Sequence, residues 1–138
     1  MIAPVEYLDL NDVVEMAKKL LGDPPPIRDI GLLGSAVARP STTLLGDDAY
    51  PDIWSKAAAL LQSIVNNHAL IDGNKRLGWL CTAVFLELNA ASVAKASNNR
   101  VYALVIDVAT NNLPVDDIAT RLKKLSKPRS SAQRQIGH

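Results

Sequence analysis

The sequence predicts an all-α fold, a compact bundle of about six helices, on three observations. The composition is 48% hydrophobic and only 4% aromatic, with Ala, Leu and Val prominent, which suits closely packed helices. Apolar residues recur at helical spacing in segments that begin at a capping residue and stop at glycine, asparagine or proline. We find no strand-rich region and no internal repeat in the sequence. A chain of 138 residues is long enough for one domain with its own core.

The first third of the chain is predicted to hold two helices. Asp9 is a candidate N-cap for a helix over residues 10–21, which stops at Gly22. Asp29 is expected to cap a short helix that runs to Ala38 and ends before the next proline. The triple proline between them favours extended backbone.

Residues 40–50 form a polar loop around two leucines, Leu44 and Leu45. Such a loop is either a simple connection or a flap that receives a segment of a partner. Four further helices are then predicted. The first covers residues 52–66 with Pro51 at its first turn, and the second covers residues 74–88 and is ended by Asn89. The third is capped by Ser97 or Asn98 and runs to Ala109, and the last is opened by Pro114 and runs to about Leu125.

The helical domain is expected over residues 1–125, followed by a disordered basic tail over residues 126–138. No acid follows Asp117, whereas six cations do, namely Arg121, Lys123, Lys124, Lys127, Arg129 and Arg134. Such a run would suit a contact to nucleic acid or to an acidic partner. We favour a solvated helix end with a loose tail, and therefore expect no direct binding of nucleic acid.

The composition also indicates the cellular compartment of the protein and excludes some classes of protein. The net charge of +1 does not suit a molecule whose whole surface binds polyanions. The single cysteine, Cys81, excludes a disulfide within the chain and has apolar neighbours, so we expect a core residue and a cytoplasmic location. Residues 1–5 are too short and lack the basic lead of a signal peptide, and the apolar runs are too short for a membrane span.

Residues 68–76, His-Ala-Leu-Ile-Asp-Gly-Asn-Lys-Arg, hold the strongest candidate site. The chain has two histidines, and the other, His138, is the last residue. Histidine is the side chain best suited to accept a proton near neutral pH, so His68 is the candidate general base toward an attacking hydroxyl. A short polar connection between two core helices would explain Asp72 and the Gly-Asn pair without any chemistry.

Lys75 and Arg76 are the residues that a purely structural loop explains poorly. They fall in the first turn of a predicted helix, where positive charge opposes the helix macrodipole. A bound anion would remove the conflict, because the free backbone N–H groups after Gly73 form a cradle for phosphate. Asn74 would add a side-chain donor, and Asp72 is a natural ligand for Mg²⁺ beside phosphate oxygens. From the residues alone, a nucleotide or anion site and a structural loop both remain open.

The pattern resembles the Fic/Doc family, and it is most similar to the Doc branch, the death-on-curing toxins of bacterial toxin–antitoxin pairs. The family motif begins with His-Pro-Phe and continues with two residues, the second of which is acidic. Gly-Asn follows, then either Gly or Lys, and the motif ends with Arg. Residues 68–76 match it, with Ala69 and Leu70 in place of Pro-Phe and with the Asn-Lys-Arg ending of the Doc branch. Residues 35–40, 50–52 and 56–60 are also similar to the family's segment before the motif.

The resemblance implies a small helical domain over about residues 5–125 and a role for each motif residue. His68 would be the general base, and Asp72 would be the Mg²⁺ ligand. Gly73 with Asn74 would form the anion-hole turn. Lys75 and Arg76 would be the catalytic cations that bind the nucleotide phosphates. The resemblance also implies a flap that pairs with a target peptide as a strand, comprising Ser41, Thr42, Thr43, Leu44 and Leu45 and continuing to Asp48.

The resemblance further implies the reaction. Adenylyltransferases of the family carry a second arginine three residues after the first, where this chain has Trp79. Together with Lys75 in place of glycine, this favours the Doc mode, in which the nucleotide binds reversed and the γ-phosphate of ATP or another nucleoside triphosphate is transferred. Doc-like toxins act as protein kinases that phosphorylate a threonine of elongation factor Tu and arrest translation. A separate antitoxin is the expected inhibitor, laying an amphipathic helix or a disordered tail across the groove.

Two alternatives to the kinase are kept. The first is transfer of AMP or another nucleotidyl group on the same scaffold. The second is a non-catalytic module whose anion loop binds a phosphate or an acidic tail of a partner protein. One sequence feature does not fit a regular core helix: Gly78 lies in its first turns, where glycine costs about 1 kcal/mol relative to alanine.

Overall fold

The computed structural model describes residues 3–127 and confirms the predicted all-α bundle. Within this range the chain forms six α-helices and one small antiparallel hairpin. In chain order the elements are α1 (Leu10–Leu21), α2 (Ile30–Ala38), a 3₁₀ turn (Arg39–Ser41), β1 (Thr43–Leu44), β2 (Asp47–Asp48), α3 (Ile53–Asn67), α4 (Asn74–Leu88), α5 (Asn98–Thr110) and α6 (Val115–Leu125). The greater part of the predicted disordered tail, residues 128–138, lies outside the described residues.

Local capping explains why the helices begin where the sequence predicts. Asp9, Asp29, Asp52 and Ser97 each precede a helix, and each accepts a hydrogen bond from the backbone N–H three residues later. The prediction for Pro51 is corrected, because this residue precedes the cap Asp52 instead of entering the first turn of α3. A side-chain oxygen at the cap satisfies one of the N–H groups that a helix start leaves free.

Helix α3 lies at the centre of the bundle and packs against α2, α4, α5 and α6. Its alanines at 57, 58 and 59 are fully buried, and such small side chains allow neighbouring helices to approach closely. Gly78 in α4 lies directly against α3, since a Cβ built there would lie 2.8 Å from Cγ2 of Val65 in α3. The glycine that the sequence marks as unfavourable for the helix therefore allows α3 and α4 to pack tightly.

The loop before α3 contains the hairpin, which the sequence analysis did not predict as strands. Thr43 pairs with Asp48 and Leu44 pairs with Asp47. The two turn residues, Leu45 and the following glycine, have φ values of 54° and 88°, as in the tight turns that suit hairpin twist. Strands of two residues are too short to leave a periodic signal in the sequence.

Cys81 is fully buried in the core cluster, which confirms its expected role as a small core residue. Among residues 3–127, no helix combines the length and the apolar character needed to cross a bilayer.

Candidate active site

The candidate site lies where the chain passes from α3 to α4, between residues 68 and 76. His68 is the residue that ends α3, and its backbone adopts the left-handed conformation, with φ 55° and ψ 41°. This conformation stops the helix and turns the chain sharply. The histidine side chain is exposed, so the imidazole is available to a substrate.

Residues 69–71, in the first half of the loop, are held by hydrogen bonds to residues 26–29. This segment runs antiparallel to the loop at the Ile27–Leu70 bridge. Both Ala69 and Leu70 are almost completely buried. The backbone bonds are from Arg28 N to Ala69 O at 2.8 Å, from Asp29 N to Ala69 O at 3.0 Å and from Ile71 N to Pro26 O at 2.9 Å. These bonds hold the loop although residue 69 is not a proline, and Leu70 serves as a core anchor.

Arg28 is a site residue that the sequence analysis missed. Its Nε donates to the carbonyl oxygen of His68 at 3.2 Å, and its Nη2 donates to the same oxygen. A cation at the carboxyl end of α3 satisfies a carbonyl that the helix leaves free and is favoured by the helix dipole. The contact spans 40 residues of sequence, and no local pattern around Arg28 would have indicated it.

Gly73 forms the turn that starts α4, and two observations show why glycine is required. Its φ of 91° lies in the region that favours glycine. A Cβ at this position would also lie 2.7 Å from the side chain of Leu21, at the end of α1. The preceding carboxylate, Asp72, accepts a hydrogen bond from the Gly73 N–H at 2.9 Å.

Asn74 has a structural role that the sequence analysis did not foresee. Its Oδ1 accepts from the Leu70 N–H at 3.1 Å, and its Nδ2 donates to the Leu70 carbonyl at 3.1 Å. The side chain thus closes the loop between residues 70 and 74. Because Nδ2 carries two hydrogens, one remains for the anion contact that was predicted for this residue.

The start of α4 differs from the other helix starts in the described part of the chain. It has no side-chain cap and no acid in its first turn, whereas α6, the other uncapped helix, carries two acids there. Lys75 and Arg76 occupy that turn and are exposed. The ion pairs formed within residues 3–127 involve neither of them. Backbone N–H groups, two cations and a positive helix end therefore meet at one surface, which suits an anion.

Magnesium was predicted at Asp72, whose carboxylate would need phosphate and water oxygens to complete the ligand set. Among residues 3–127, no three histidine, cysteine or acidic side chains are grouped to hold a metal ion. Mg²⁺ commonly binds one or two carboxylates and takes its other ligands from phosphate and water. Asp72 is exposed, and within the described structure only its Oδ1 accepts a protein hydrogen bond, so Oδ2 is available as a ligand.

The predicted flap is tied to α3 by Lys56, which is buried although it carries a charge. Its Nζ donates to Oδ2 of Asp48 at 2.9 Å and also to the carbonyl oxygen of Tyr50. The ammonium group lies 5.9 Å from the ring centroid of Tyr7. These contacts hold the second strand of the hairpin, while Leu45 at its tip is 98% exposed.

The other end of the flap is held by Arg39. Its Nε donates to the Tyr50 hydroxyl at 2.9 Å, and its Nη1 donates to Gln62 at 2.6 Å and to Ser63 at 2.8 Å. Beside it lies an open cavity of about 480 Å³, which is also lined by Thr42 at the base of the flap and by Asn67, the residue before His68. The cavity thus extends from the base of the flap to the last residue of α3.

Known proteins share sequence similarity with this chain over most of its length. Residues 7–86, which include the flap and the whole loop, match the Fic/DOC family. The chain is also 47% identical over 118 residues to a protein named Toxin Doc from Mycolicibacterium smegmatis (strain ATCC 700084 / mc(2)155), covering 85% of this chain and 91% of the relative. The match spans most of both proteins and includes the candidate site, so the chain belongs to the Fic/DOC family.

Proposed function

We propose that the protein is a toxin of the Doc type that works as a protein Ser/Thr kinase. Its proposed target is elongation factor Tu, and the proposed consequence is arrest of translation. The similarity to a protein named Toxin Doc supports the toxin assignment. The observation that carries the chemistry is that the exposed residue His68 and the uncapped, cationic start of α4 lie at the two ends of one short loop.

The proposed step is transfer of the γ-phosphoryl group of ATP, or of another nucleoside triphosphate, to a target hydroxyl. The hydroxyl oxygen forms a bond to the γ-phosphorus and gives its proton to His68. The bond between the γ-phosphorus and the bridging oxygen of the β-phosphate breaks, and the nucleoside diphosphate leaves with that electron pair. A general base typically contributes about 10²–10⁴-fold to the rate of such a step.

The start of α4 would hold the phosphates during this transfer. Arg76 presents a planar fork to two phosphate oxygens, and Lys75 adds a point charge beside it. The backbone N–H groups of the first turn add donors that the helix itself leaves free. When bound at Asp72, Mg²⁺ would supply positive charge against the phosphate oxygens.

The flap would present the target. Thr43 and Leu44 on one strand are exposed, and a peptide laid along the hairpin can add main-chain hydrogen bonds as a further strand. The anchors at Lys56 and Arg39 keep the hairpin in place, so binding of the peptide costs little ordering of the flap. A cognate antitoxin is the proposed second partner.

Expression in bacteria tests the proposal, with growth and protein synthesis as the measurements. We expect wild-type protein to arrest both, and His68→Ala and Asp72→Ala to relieve the arrest. His138→Ala and Asp117→Ala are matched controls, because they remove the same residue types outside residues 68–76, and both should remain toxic. Equal arrest by all five proteins would reject catalysis at this site and favour a non-catalytic binding module.

Purified protein identifies the reaction. Elongation factor Tu is incubated with ATP, Mg²⁺ and the toxin, and its mass is then measured. Phosphoryl transfer adds about 80 Da and AMP transfer adds about 329 Da. A gain of about 80 Da that is lost with His68→Ala is the expected result, whereas a gain of about 329 Da would replace the kinase by a nucleotidyl transferase.

A further inference from the structure

A groove runs between α4 and α5 and begins at the proposed phosphate-binding turn. It has a volume of about 500 Å³, within the range of roughly 300–1,000 Å³ that is usual for small-molecule sites. Lys75 and Arg76 line the end nearest the start of α4, and the remaining lining is mostly apolar, with Trp79 and Tyr102 among its side chains. The groove therefore combines two cations with an apolar, aromatic interior.

This combination suits one ligand that is anionic at one end and flat and apolar at the other. Lys75 and Trp79 are four residues apart on α4, so their side chains are neighbours, with Cβ atoms about 5–6 Å apart. Trp79 is only partly buried, and Tyr102 on α5 is 69% exposed, although each lines the groove. Two aromatic side chains that remain accessible beside a phosphate site are the features used to stack a base.

We propose that the α4–α5 groove binds the nucleobase of the nucleoside triphosphate, stacked against Trp79. The proposal rests on the proposed function, since Lys75 and Arg76 must hold the phosphates to which the base is attached. It gives the partly exposed Trp79 a role in binding the co-substrate.

The main competing occupant is an amphipathic helix of a partner protein. A second cavity of about 500 Å³ adjoins the first, shares Trp79, Ala83, Asn98 and Val101 with it, and continues along α4 to Leu88. A helix would use both cavities, whereas a base would use only the one that Lys75 and Arg76 line. Leu88 lines the second cavity and not the first, so it separates these two occupants.

Fluorescence provides the first measurement, because the chain has two tryptophans. In a Trp54→Phe variant the remaining tryptophan is Trp79. We expect ATP with Mg²⁺ to quench its emission, and inorganic triphosphate with Mg²⁺ to bind without comparable quenching. Trp54 lies at the start of α3, outside the groove, so Trp54→Phe should leave the ATP affinity unchanged.

Affinity provides the second measurement. Trp79→Leu should weaken ATP binding by about tenfold or more, because base stacking on an aromatic side chain commonly contributes that much, and should leave triphosphate binding unchanged. Trp79→Phe should restore most of the ATP affinity, and Leu88→Ala should bind ATP like wild type. Circular dichroism checks that each variant is folded.

ATP affinity, triphosphate binding and phosphorylation of the target together distinguish the base site from the kinase activity. Unchanged ATP affinity in folded Trp79→Leu, or an equal loss in Leu88→Ala, would overturn the base site while leaving the kinase proposal intact if the target is still phosphorylated. Wild-type protein that binds neither ATP nor triphosphate would overturn both.

Discussion

Lys56 is the one charged side chain that is buried among residues 3–127, and its contacts show how a single residue positions the flap. A buried ammonium is stable only if its donors are used, and here a carboxylate, a carbonyl and an aromatic ring surround it. The sequence shows a lysine within an alanine-rich helix, where the usual expectation is an exposed side chain. The carboxylate of Asp48 and the carbonyl of Tyr50 lie in and just after a hairpin that the sequence did not reveal, and the ring is that of Tyr7 near the start of the chain.

The first prediction concerns this anchor. Asp48→Ala should lower the free energy of unfolding by about 1–3 kcal/mol, because it removes the carboxylate from a buried charged donor. Asp47→Ala, on the neighbouring residue of the same strand, should change it by less than about 0.5 kcal/mol. Urea denaturation measures both values, and equal effects of the two substitutions would mean that the Lys56 contact does not stabilise the flap.

Two helices, α3 and α4, flank the candidate site, and their close packing fixes how its two ends meet. The sequence predicted both helices from their apolar composition and from the turn between them. It did not show that Gly78 faces Val65, because that contact depends on the rotation of one helix against the other. Helix caps such as Asp9 and Ser97 were predictable because their hydrogen bonds are made three residues away.

A second prediction concerns this helix pair. Gly78→Ala gains about 1 kcal/mol of helix propensity but places a methyl group 2.8 Å from Val65, and overpacking of a core typically costs about 1–3 kcal/mol. We therefore expect no net gain or a net loss of stability. In a Val65→Ala background the same substitution should be stabilising, because the clash is removed. A double-mutant cycle measured by thermal unfolding checks the coupling, and additive effects would argue against close contact at this point.

The bundle as a whole encloses one continuous core, and Cys81 in α4 reports on its integrity. The thiol is fully buried, and desolvation raises its pKa from 9.0 to about 12. In the unfolded chain the thiol ionises near its ordinary value, whereas the folded protein keeps it protonated. The unfolded state therefore binds fewer protons between these two values, and stability must fall as the pH rises through that range.

The third prediction follows from this linkage. Between pH 9 and pH 11 the wild-type protein should lose more stability than Cys81→Ala, as measured by urea denaturation at each pH. At pH 8 the thiol should react with an alkylating reagent only when the core opens, so labelling should increase with urea along the unfolding curve. Rapid labelling of the native protein, or identical alkaline losses in both proteins, would show that the thiol is accessible.

The sequence by itself determined the helices, their ends and the candidate loop from His68 to Arg76. Those features depend on interactions over a few residues: apolar periodicity, side-chain caps, a glycine turn, and cations at a helix start that favour an anion. The motif also carried the resemblance to the Fic/Doc family, which the comparisons confirm.

Only the tertiary structure decided which distant residues support that loop. The Arg28 contact to the His68 carbonyl spans 40 residues, and the α4–α5 groove forms between helices whose faces the sequence could not align. Asn74 shows the same limit at short range, because its bonds to Leu70 form within a loop that also pairs with residues 26–29. Such contacts depend on packing in three dimensions, where sequence separation no longer indicates which side chains meet.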